Sequence, residues 1–273
     1  MAVHPPRLDL AELFLEIALT SQKHIIVEGR TDENFFKAWL QDADPAETVV
    51  VTPVENLEVG PDEVLGIGLS DGNRSRVVYV AMRAEKDDVD LRCVADRDCG
   101  HNVETHNYEQ LLWTDYPSIE SYALDGVTLQ KANLLSFNGR LPDGGVLLGM
   151  LVPALRDLYA VRAANEHLER PNYAAGVGKN RSLATFNVSL TVHPSLRSQV
   201  AGYAKPTSRD PREFAYGHDI GELLLAAFGN VLKNNVGLVT LGAVEAALRS
   251  AVQAVGSYKT EPLFIRLHSW ISA

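Results

Sequence analysis

The chain has 273 residues, which is enough for one large domain or two smaller ones with a buried core. Its composition, 46% apolar and 22% charged, is typical of a globular protein and argues against disorder. The formal net charge of −10 excludes a surface coated with basic residues, although a local basic groove stays compatible with it. The two cysteines, Cys93 and Cys99, exclude a disulfide framework, and they lack the partner residues of a zinc site.

The first segments of the chain are predicted to alternate between helix and strand. Leu8 to Gln22 has apolar residues at helical spacing and predicts a helix. The run "KHIIVEG" predicts a buried strand closed by Gly29. The next segment, "TDENFFKAWLQDA", returns to a helical period, with Thr31 or Asp32 as its predicted N-cap.

The same alternation continues to about residue 115. The segment "ETVVVTPV" predicts a second buried strand, stopped by Pro53. The segment "NRSRVVYVAMRAE" predicts a helix, although its Val-Val-Tyr-Val core also suits a strand. A third strand is expected in "VDLRCVADRD" and a fourth in "YEQLLWTD". Strands that alternate with helices predict an α/β fold with a mostly parallel sheet flanked by helices.

The second half is predicted to be helical. Helices are expected in "SIESYALD", "LQKANLLSF", "GVLLGMLVPALRDLYAVRAANEHL", "DIGELLLAAFGNVLK", "TLGAVEAALRSAVQAV" and "EPLFIRLHSWI". Between them, residues 170–206 have a loop-like composition. The change of pattern near Gly126 predicts an α/β domain over residues 1–126 and a helical domain over 127–273.

No membrane span or signal peptide is predicted. The most apolar segment, "GVLLGMLVPALRDLY", reaches Arg156 and Asp157 too early to cross a bilayer. The N-terminal stretch "MAVHPPRLDLAELF" has no basic region that leads into an apolar one. We therefore expect a cytoplasmic protein with reduced cysteines.

Acidic residues lie where three of the predicted strands end. The first strand ends at Glu28, the third in Asp96 and Asp98, and the fourth at Asp115, with Glu120 opening the next helix. Because residues two apart in a strand face the same side, we expect Asp96 and Asp98 to point in one direction. Ligands bind beyond the carboxyl ends of strands in open α/β sheets, so these acids mark a candidate site.

Carboxylates that share one edge stay ionised together only when cations compensate them. Oxygen ligands suit Mg²⁺ or Mn²⁺, and Mg²⁺ usually combines few carboxylates with water and substrate phosphate. The pattern therefore indicates phosphoryl transfer. Asp32, one turn after Glu28, is either a further ligand or a helix cap. Each motif alone is common in solvated strand ends, and it is the combination that favours a site.

The stretches "IIVEGRTDENFF" and "LRCVADRD" together resemble the TOPRIM fold of topoisomerases, bacterial primases and OLD-type nucleases. The resemblance covers about the first 125 residues. The later stretches "TDYPSIESY" and "AYGHDIGELL" are similar to a branch that includes the nuclease subunit of the PARIS anti-phage system. That nuclease works beside an ABC/OLD-type ATPase, and the chain itself carries no P-loop motif.

The resemblance implies roles for individual residues. Glu28 would be a metal ligand and the acid that manages a proton, while Asp96 and Asp98 would bind Mg²⁺ or Mn²⁺. Asp32 matches the second acid of the first motif, and Glu120 matches the acid of "IES" and would be a further ligand. Gly29 would allow the backbone to turn tightly beside the metal.

Five further positions are weaker candidates. Arg30, Lys179 and Arg181 could contact substrate phosphate, although a solvated loop is the commoner explanation for the last two. His218 in "YGHDIGELL" is expected to be a buried histidine and Asp219 a helix N-cap, with a role beside the site or in a dimer as the alternative.

These observations lead to an expected function and two alternatives. We expect a Mg²⁺-dependent TOPRIM nuclease that acts on DNA or on RNA such as tRNA, as the toxic effector of an ATPase-controlled anti-phage system. A homodimer through the helical half is compatible with its apolar faces. The first alternative is a non-catalytic regulatory or scaffold subunit of the ATPase complex. The second is a phosphatase of the haloacid dehalogenase type, for which the D-x-D motif lies on the wrong strand.

Overall fold

Short apolar runs form parallel strands in a computed structural model that describes residues 7–20, 22–45, 48–101 and 103–273. The part of the signal-peptide prediction that concerns residues 1–6 lies outside the described residues. The strands are β1 Leu8–Asp9, β2 Lys23–Val27, β3 Val49–Pro53, β4 Leu57–Glu58, β5 Arg92–Ala95 and β6 Leu111–Trp113. One sheet has the order β3-β2-β5-β6 and a second pairs β1 with β4, both with parallel strands.

Helices flank these sheets, so the predicted α/β class is confirmed. The helices are α1 Leu10–Thr20, α2 Arg30–Ala43, α3 Pro61–Gly66, α4 Asn73–Lys86, α5 Gly126–Leu135, α6 Gly144–Ala164, α7 Tyr173–Val177, α8 Gly217–Val236, α9 Leu241–Val255 and α10 Pro262–Ile271.

Most predicted elements appear close to their expected bounds. Leu8 and Asp9 are an exception, because they pair with β4 as a strand before α1 begins. The segment "SIESYALD" forms a 3-10 helix over Ile119–Ala123, and the short helices α3 and α7 have no counterpart among the predictions. The ambiguous segment "NRSRVVYVAMRAE" is helical, as α4.

The chain divides into two compact units. The first unit comprises Met1–Asp96, Asn102–Thr114 and Lys259–Ala273, and the second comprises Arg97–His101 and Asp115–Tyr258. The predicted boundary near Gly126 lies inside the second unit. Helix α10, which the sequence pattern grouped with the helical half, belongs to the first unit.

Strand β2 is buried on both faces, which explains its unbroken apolar sequence. Ile25, Ile26 and Val27 are completely inaccessible to solvent. Ile26 packs into a core that it shares with residues of α1 and α4 and with Cys93 of β5. Cys93 is thus a small buried apolar residue, as expected from the sequence. Alternate residues of a strand face opposite sides, so Ile25 and Val27 are covered on the other face.

Aromatic side chains fix the C-terminal helix α10 to α2 within the first unit. The ring of Phe264 stacks on Phe36 with centroids 5.8 Å apart, and it meets Trp39 edge-on at 5.8 Å and Phe35 at 6.1 Å. Aromatic pairs at these distances add to the free energy gained from burying apolar area. This cluster explains why the last residues of the chain join the unit that contains the first ones.

The second unit contains a long apolar helix, α6. Among the described residues, α6 is the one single helix long and apolar enough to cross a membrane, and the bent pair α8–α9 passes the same test only when its two helices are counted as one span. In α6, 44% of the most apolar window is buried inside the protein. Its first residue packs closely on α5, because a Cβ on Gly144 would lie 2.1 Å from the Gly126 carbonyl oxygen.

We predict that Phe264→Ala lowers the free energy of unfolding by about 3–5 kcal/mol, because it leaves a cavity in the aromatic cluster. The matched control is Ile265→Ala on the same helix, whose side chain is 55% exposed and should change stability by about 0.5 kcal/mol or less. Urea unfolding of both variants measures the difference. Equal losses in the two variants would contradict the packing described for α10.

Candidate functional site

The order of the strands changes direction between β2 and β5. From β2 the chain proceeds to β3 on one side, and it later returns to place β5 on the other side of β2. In open α/β sheets, ligands bind at such a point, in the crevice beyond the carboxyl ends of the strands. Glu28 directly follows β2 and Asp96 directly follows β5. Two of the predicted acids therefore flank the position where this fold class binds its ligands.

A hydrogen bond joins these two positions. The backbone N–H of Asp96 donates to Oε1 of Glu28 at 2.7 Å. Both residues are half-buried, so the bond is partly shielded from water. It holds the Glu28 carboxylate beside the backbone of Asp96.

Asp32 makes a helix-capping contact at the same edge of the sheet. Its Oδ2 accepts a hydrogen bond from the backbone N–H of Gly29 at 3.2 Å. Gly29 is the N-cap of α2, so the predicted N-caps, Thr31 and Asp32, are wrong by two or three positions. A carboxylate in the first turn also interacts favourably with the partial positive charge of the helix N-terminus.

Position 29 does not require a glycine, although the sequence resemblance implied a tight backbone turn there. Its backbone is extended, with φ −153°, a conformation open to any residue. A Cβ at this position would meet only the Asp32 carboxylate, at 4.0 Å.

The two aspartates of the D-x-D motif have different backbone environments. Strand β5 ends at Ala95, and Asp98 lies in a turn with a left-handed φ of 48°. The expectation that Asp96 and Asp98 share a strand face is therefore wrong, because the strand ends before both. Asp98 belongs to the second unit, where its backbone N–H donates to the Pro117 carbonyl at 3.0 Å.

An arginine that the sequence analysis did not select supports Asp96. The Nε–H of Arg74 in α4 donates to the Asp96 carbonyl at 2.8 Å. Its guanidinium lies over the Trp113 ring, 5.0 Å from the centroid. The peptide groups of Asp96 are thus held by Arg74 at the carbonyl and by Glu28 at the N–H. The only sequence signal for this role of Arg74 was its position in the first turn of α4, where acidic residues are usual.

Arg30 also lies at this edge of the first unit. Its Nε–H donates to Oε1 of Glu55 at 3.2 Å, and the Arg30 side chain is 63% exposed. An exposed pair of this kind is weak and is screened by salt. A phosphate group could therefore compete with Glu55 for the guanidinium at little cost.

Glu120 is buried in the second unit and is engaged by a cation. Its Oε1 forms an ion pair with Arg249 of α9, and its Oε2 accepts a hydrogen bond from Ser118 Oγ at 2.8 Å. The same carboxylate packs on the first residue of α8, because a Cβ on Gly217 would lie 2.4 Å from Glu120 Oε2. Glu120 was predicted to bind metal, and in the second unit its carboxylate connects the 3-10 helix to α8 and α9.

The G-H-D motif begins α8 and does not have the expected geometry. Tyr216 is the N-cap, and Asp219 is buried and accepts two hydrogen bonds from Arg162, at 2.6 and 2.8 Å. The phenol of Tyr173 donates to Asp219 at 2.5 Å. His218 is 56% exposed rather than buried. Asp219 is thus the centre of a buried ion pair and not a helix cap.

Lys179 and Arg181 lie on an exposed loop of the second unit, after α7. They line an open cavity of about 590 Å³ together with Leu225 and Ala226 of α8. Neither residue belongs to the unit that contains Glu28 and Asp96.

In the part of the chain that the structure describes, no three Asp, Glu, His or Cys side chains are grouped as a complete metal site. Mg²⁺ commonly uses only one or two protein carboxylates and takes its other oxygens from water and substrate phosphate. The donor chemistry of Glu28 and Asp96 therefore fits Mg²⁺. No protein-family model and no curated protein matches the chain.

We predict that Glu120→Ala lowers the free energy of unfolding by about 3–5 kcal/mol in the absence of metal, because it leaves the Arg249 charge buried without its partner. The double variant Glu120→Met, Arg249→Met should recover most of the loss, since it removes both charges together. Urea unfolding in EDTA measures both effects. Wild-type stability of Glu120→Ala in EDTA would contradict the structural role of the pair.

Proposed function

We propose that the chain is a TOPRIM-like, Mg²⁺-dependent nuclease that hydrolyses phosphodiester bonds in DNA or RNA. One observation carries the proposal: Glu28 and Asp96 end adjacent parallel strands at the point where the strand order changes direction, joined by a hydrogen bond. The order of these acids along the chain agrees with the TOPRIM resemblance of "IIVEGRTDENFF" and "LRCVADRD".

The proposed ligands of Mg²⁺, or of Mn²⁺ in its place, are Glu28 and Asp96, with Asp32 as an additional acid of the same unit. Asp98, which the sequence resemblance implied as a ligand, belongs to the second unit. When bound, the cation supplies Lewis-acid stabilisation of charge on the phosphate oxygens. Glu28 is the residue proposed to accept or donate a proton, because its carboxylate is fixed by the Asp96 N–H. Arg30 is proposed to attract the substrate phosphate.

Arg74 and Glu120 receive supporting roles in this proposal. Arg74 holds the Asp96 backbone and so positions its carboxylate. Glu120, predicted from the sequence as a ligand, is assigned to the packing of the second unit because Arg249 and Ser118 engage its carboxylate. Lys179 and Arg181 remain proposed phosphate contacts on a separate loop.

The biological setting is proposed from the resemblance alone. We propose a cytoplasmic toxic effector of an anti-phage system, controlled by an ABC/OLD-type ATPase partner. Its substrate would be DNA or an RNA such as tRNA, and a homodimer is compatible with the apolar surfaces of the helical unit. The negative net charge suits a protein that depends on a partner to reach nucleic acid.

We predict that purified wild-type protein cleaves nucleic acid in Mg²⁺ and that Glu28→Gln lowers the rate by about 100-fold or more, since a positioned acid–base group contributes that much. Labelled single-stranded DNA, duplex DNA, RNA and tRNA should be assayed separately, and EDTA should abolish cleavage. The matched control is Glu12→Gln in the exposed first turn of α1, which should keep wild-type activity.

Full activity of folded Glu28→Gln in Mg²⁺ would contradict the assignment of the site. A protein that cleaves no substrate, alone or with an ATPase partner, would favour the non-catalytic regulatory alternative.

A further inference from the structure

A cavity of about 280 Å³ lies in the second unit at the N-terminus of α8, where the G-H-D motif begins. Its volume is at the small end of the roughly 300–1,000 Å³ typical of ligand pockets, which suits one small molecule or one residue of a polymer. The lining combines apolar, aromatic and charged side chains. The lining residues that could contact a ligand are Leu168, Arg170, Tyr216, His218, Glu222 and Leu241.

In the inner part of the cavity, the charged side chains are paired with each other by hydrogen bonds. Arg162 is held by two hydrogen bonds to Asp219, which also accepts from Tyr173. The Arg162 guanidinium lies 4.4 Å from the centroid of the Tyr216 ring. The Tyr216 ring also meets the His218 ring edge-on, with centroids 5.3 Å apart. Arg162 and His218 therefore hold the ring in the cavity wall, where it can offer aromatic contact area to a planar group.

Two cations at the mouth of the cavity are accessible to solvent. His218 Nδ1 lies 2.5 Å from Oε1 of Glu245 in α9, and the His218 side chain is 56% exposed. Arg170 is 73% exposed and forms an ion pair with Glu222. The N-terminus of the twenty-residue α8 adds partial positive charge beside His218. The mouth of the cavity therefore offers donors to an oxyanion.

Glu245 favours the charged form of His218. The hydrogen bond to Glu245 raises the pKa of His218, burial lowers it to a smaller degree, and the negative charges of Glu245, Glu120 and Asp219 raise it further. Because Nδ1 is used by Glu245, the imidazolium presents its Nε2–H to a ligand. The charged groups around His218 are Glu245 on α9, Glu120 on the 3-10 helix, Asp219 and Glu222 on α8, Arg162 on α6 and Arg170 in the preceding loop.

We propose that this pocket binds one nucleotide, with its phosphate on His218 and Arg170 and its base against Tyr216. Leu168 and Leu241 provide the apolar wall for the base. The same chemistry is available in a free mononucleotide and in the phosphorylated end of a nucleic acid strand. The site uses no metal and lies in the second unit, so it does not depend on the proposed nuclease function.

The test is calorimetric titration of the full chain with AMP, GMP, CMP and UMP in EDTA, which prevents any metal-dependent reaction. Parallel titrations use inorganic phosphate and short oligonucleotides with and without a 5′-phosphate. We expect saturable nucleotide binding that His218→Gln and Arg170→Gln each weaken by about tenfold, as for the loss of one hydrogen bond to a charged group. Tyr216→Leu should weaken nucleotide binding and leave any weak phosphate binding unchanged.

Matched controls are His193→Gln and Arg197→Gln, two exposed residues of the same unit outside the cavity, and both should bind as the wild type does. Binding of free mononucleotides identifies a small ligand, and binding only of 5′-phosphorylated oligonucleotides identifies a strand end; either result supports the proposal. Absence of binding at millimolar nucleotide would overturn it. So would inorganic phosphate binding as tightly as nucleotides, or wild-type affinity in folded His218→Gln and Arg170→Gln.

Discussion

Parallel pairing of β2 with β5 is the constraint on which the candidate site depends. The register pairs Ile26 with Cys93, so both strands run in the same direction and end at the same edge of the sheet. Ile25, Ile26 and Val27 of β2 and Cys93 of β5 are inaccessible to solvent, so close packing on both faces of the sheet holds the two strands in this pairing. Glu28 and Asp96 are therefore placed beside each other by the core, before any ligand contributes.

Buried ion pairs have the corresponding role in the second unit. Glu120 is paired with Arg249, and Asp219 with Arg162, and each pair connects elements that are distant in the sequence. Such pairs need excellent geometry to offset the cost of removing charge from water. The close contact of Gly217 with Glu120 supplies that geometry, because any side chain at position 217 would separate the carboxylate from α8.

The sequence predicted the parts of the fold that local patterns determine. The apolar run of β2, the amphipathic pattern of α2 and the alternation of strand and helix are properties of short segments. The docking of α10 was not predictable, because it depends on Phe264 meeting three aromatic residues more than 200 positions away. Leu8 and Asp9 form a strand only because β4 offers them partners.

The candidate site was predicted only in part, because local patterns locate strand ends but not the long-range partners of the acids. Glu28 and Asp96 follow directly from strand ends, which a sequence pattern can locate. The role of Glu120 depends on Arg249, which has no local signature, and that of Asp96 depends on Arg74, whose one local signal is its basic charge in the first turn of α4. The left-handed backbone of Asp98 was also hidden, because an aspartate tolerates both extended and turn conformations. Long-range side-chain contacts thus decide which acids are available to a ligand and which are used in packing.

Cation binding tests the central claim most directly, since it needs no knowledge of the substrate. Mn²⁺ binding can be measured by electron paramagnetic resonance on the wild type, Glu28→Gln, Asp96→Asn and Glu12→Gln. We expect binding to the wild type and to Glu12→Gln, and an affinity lower by about tenfold or more in the other two, because each removes a carboxylate ligand from a site with few of them. Wild-type Mn²⁺ affinity in folded Glu28→Gln and Asp96→Asn would show that this edge of the sheet is not a cation site.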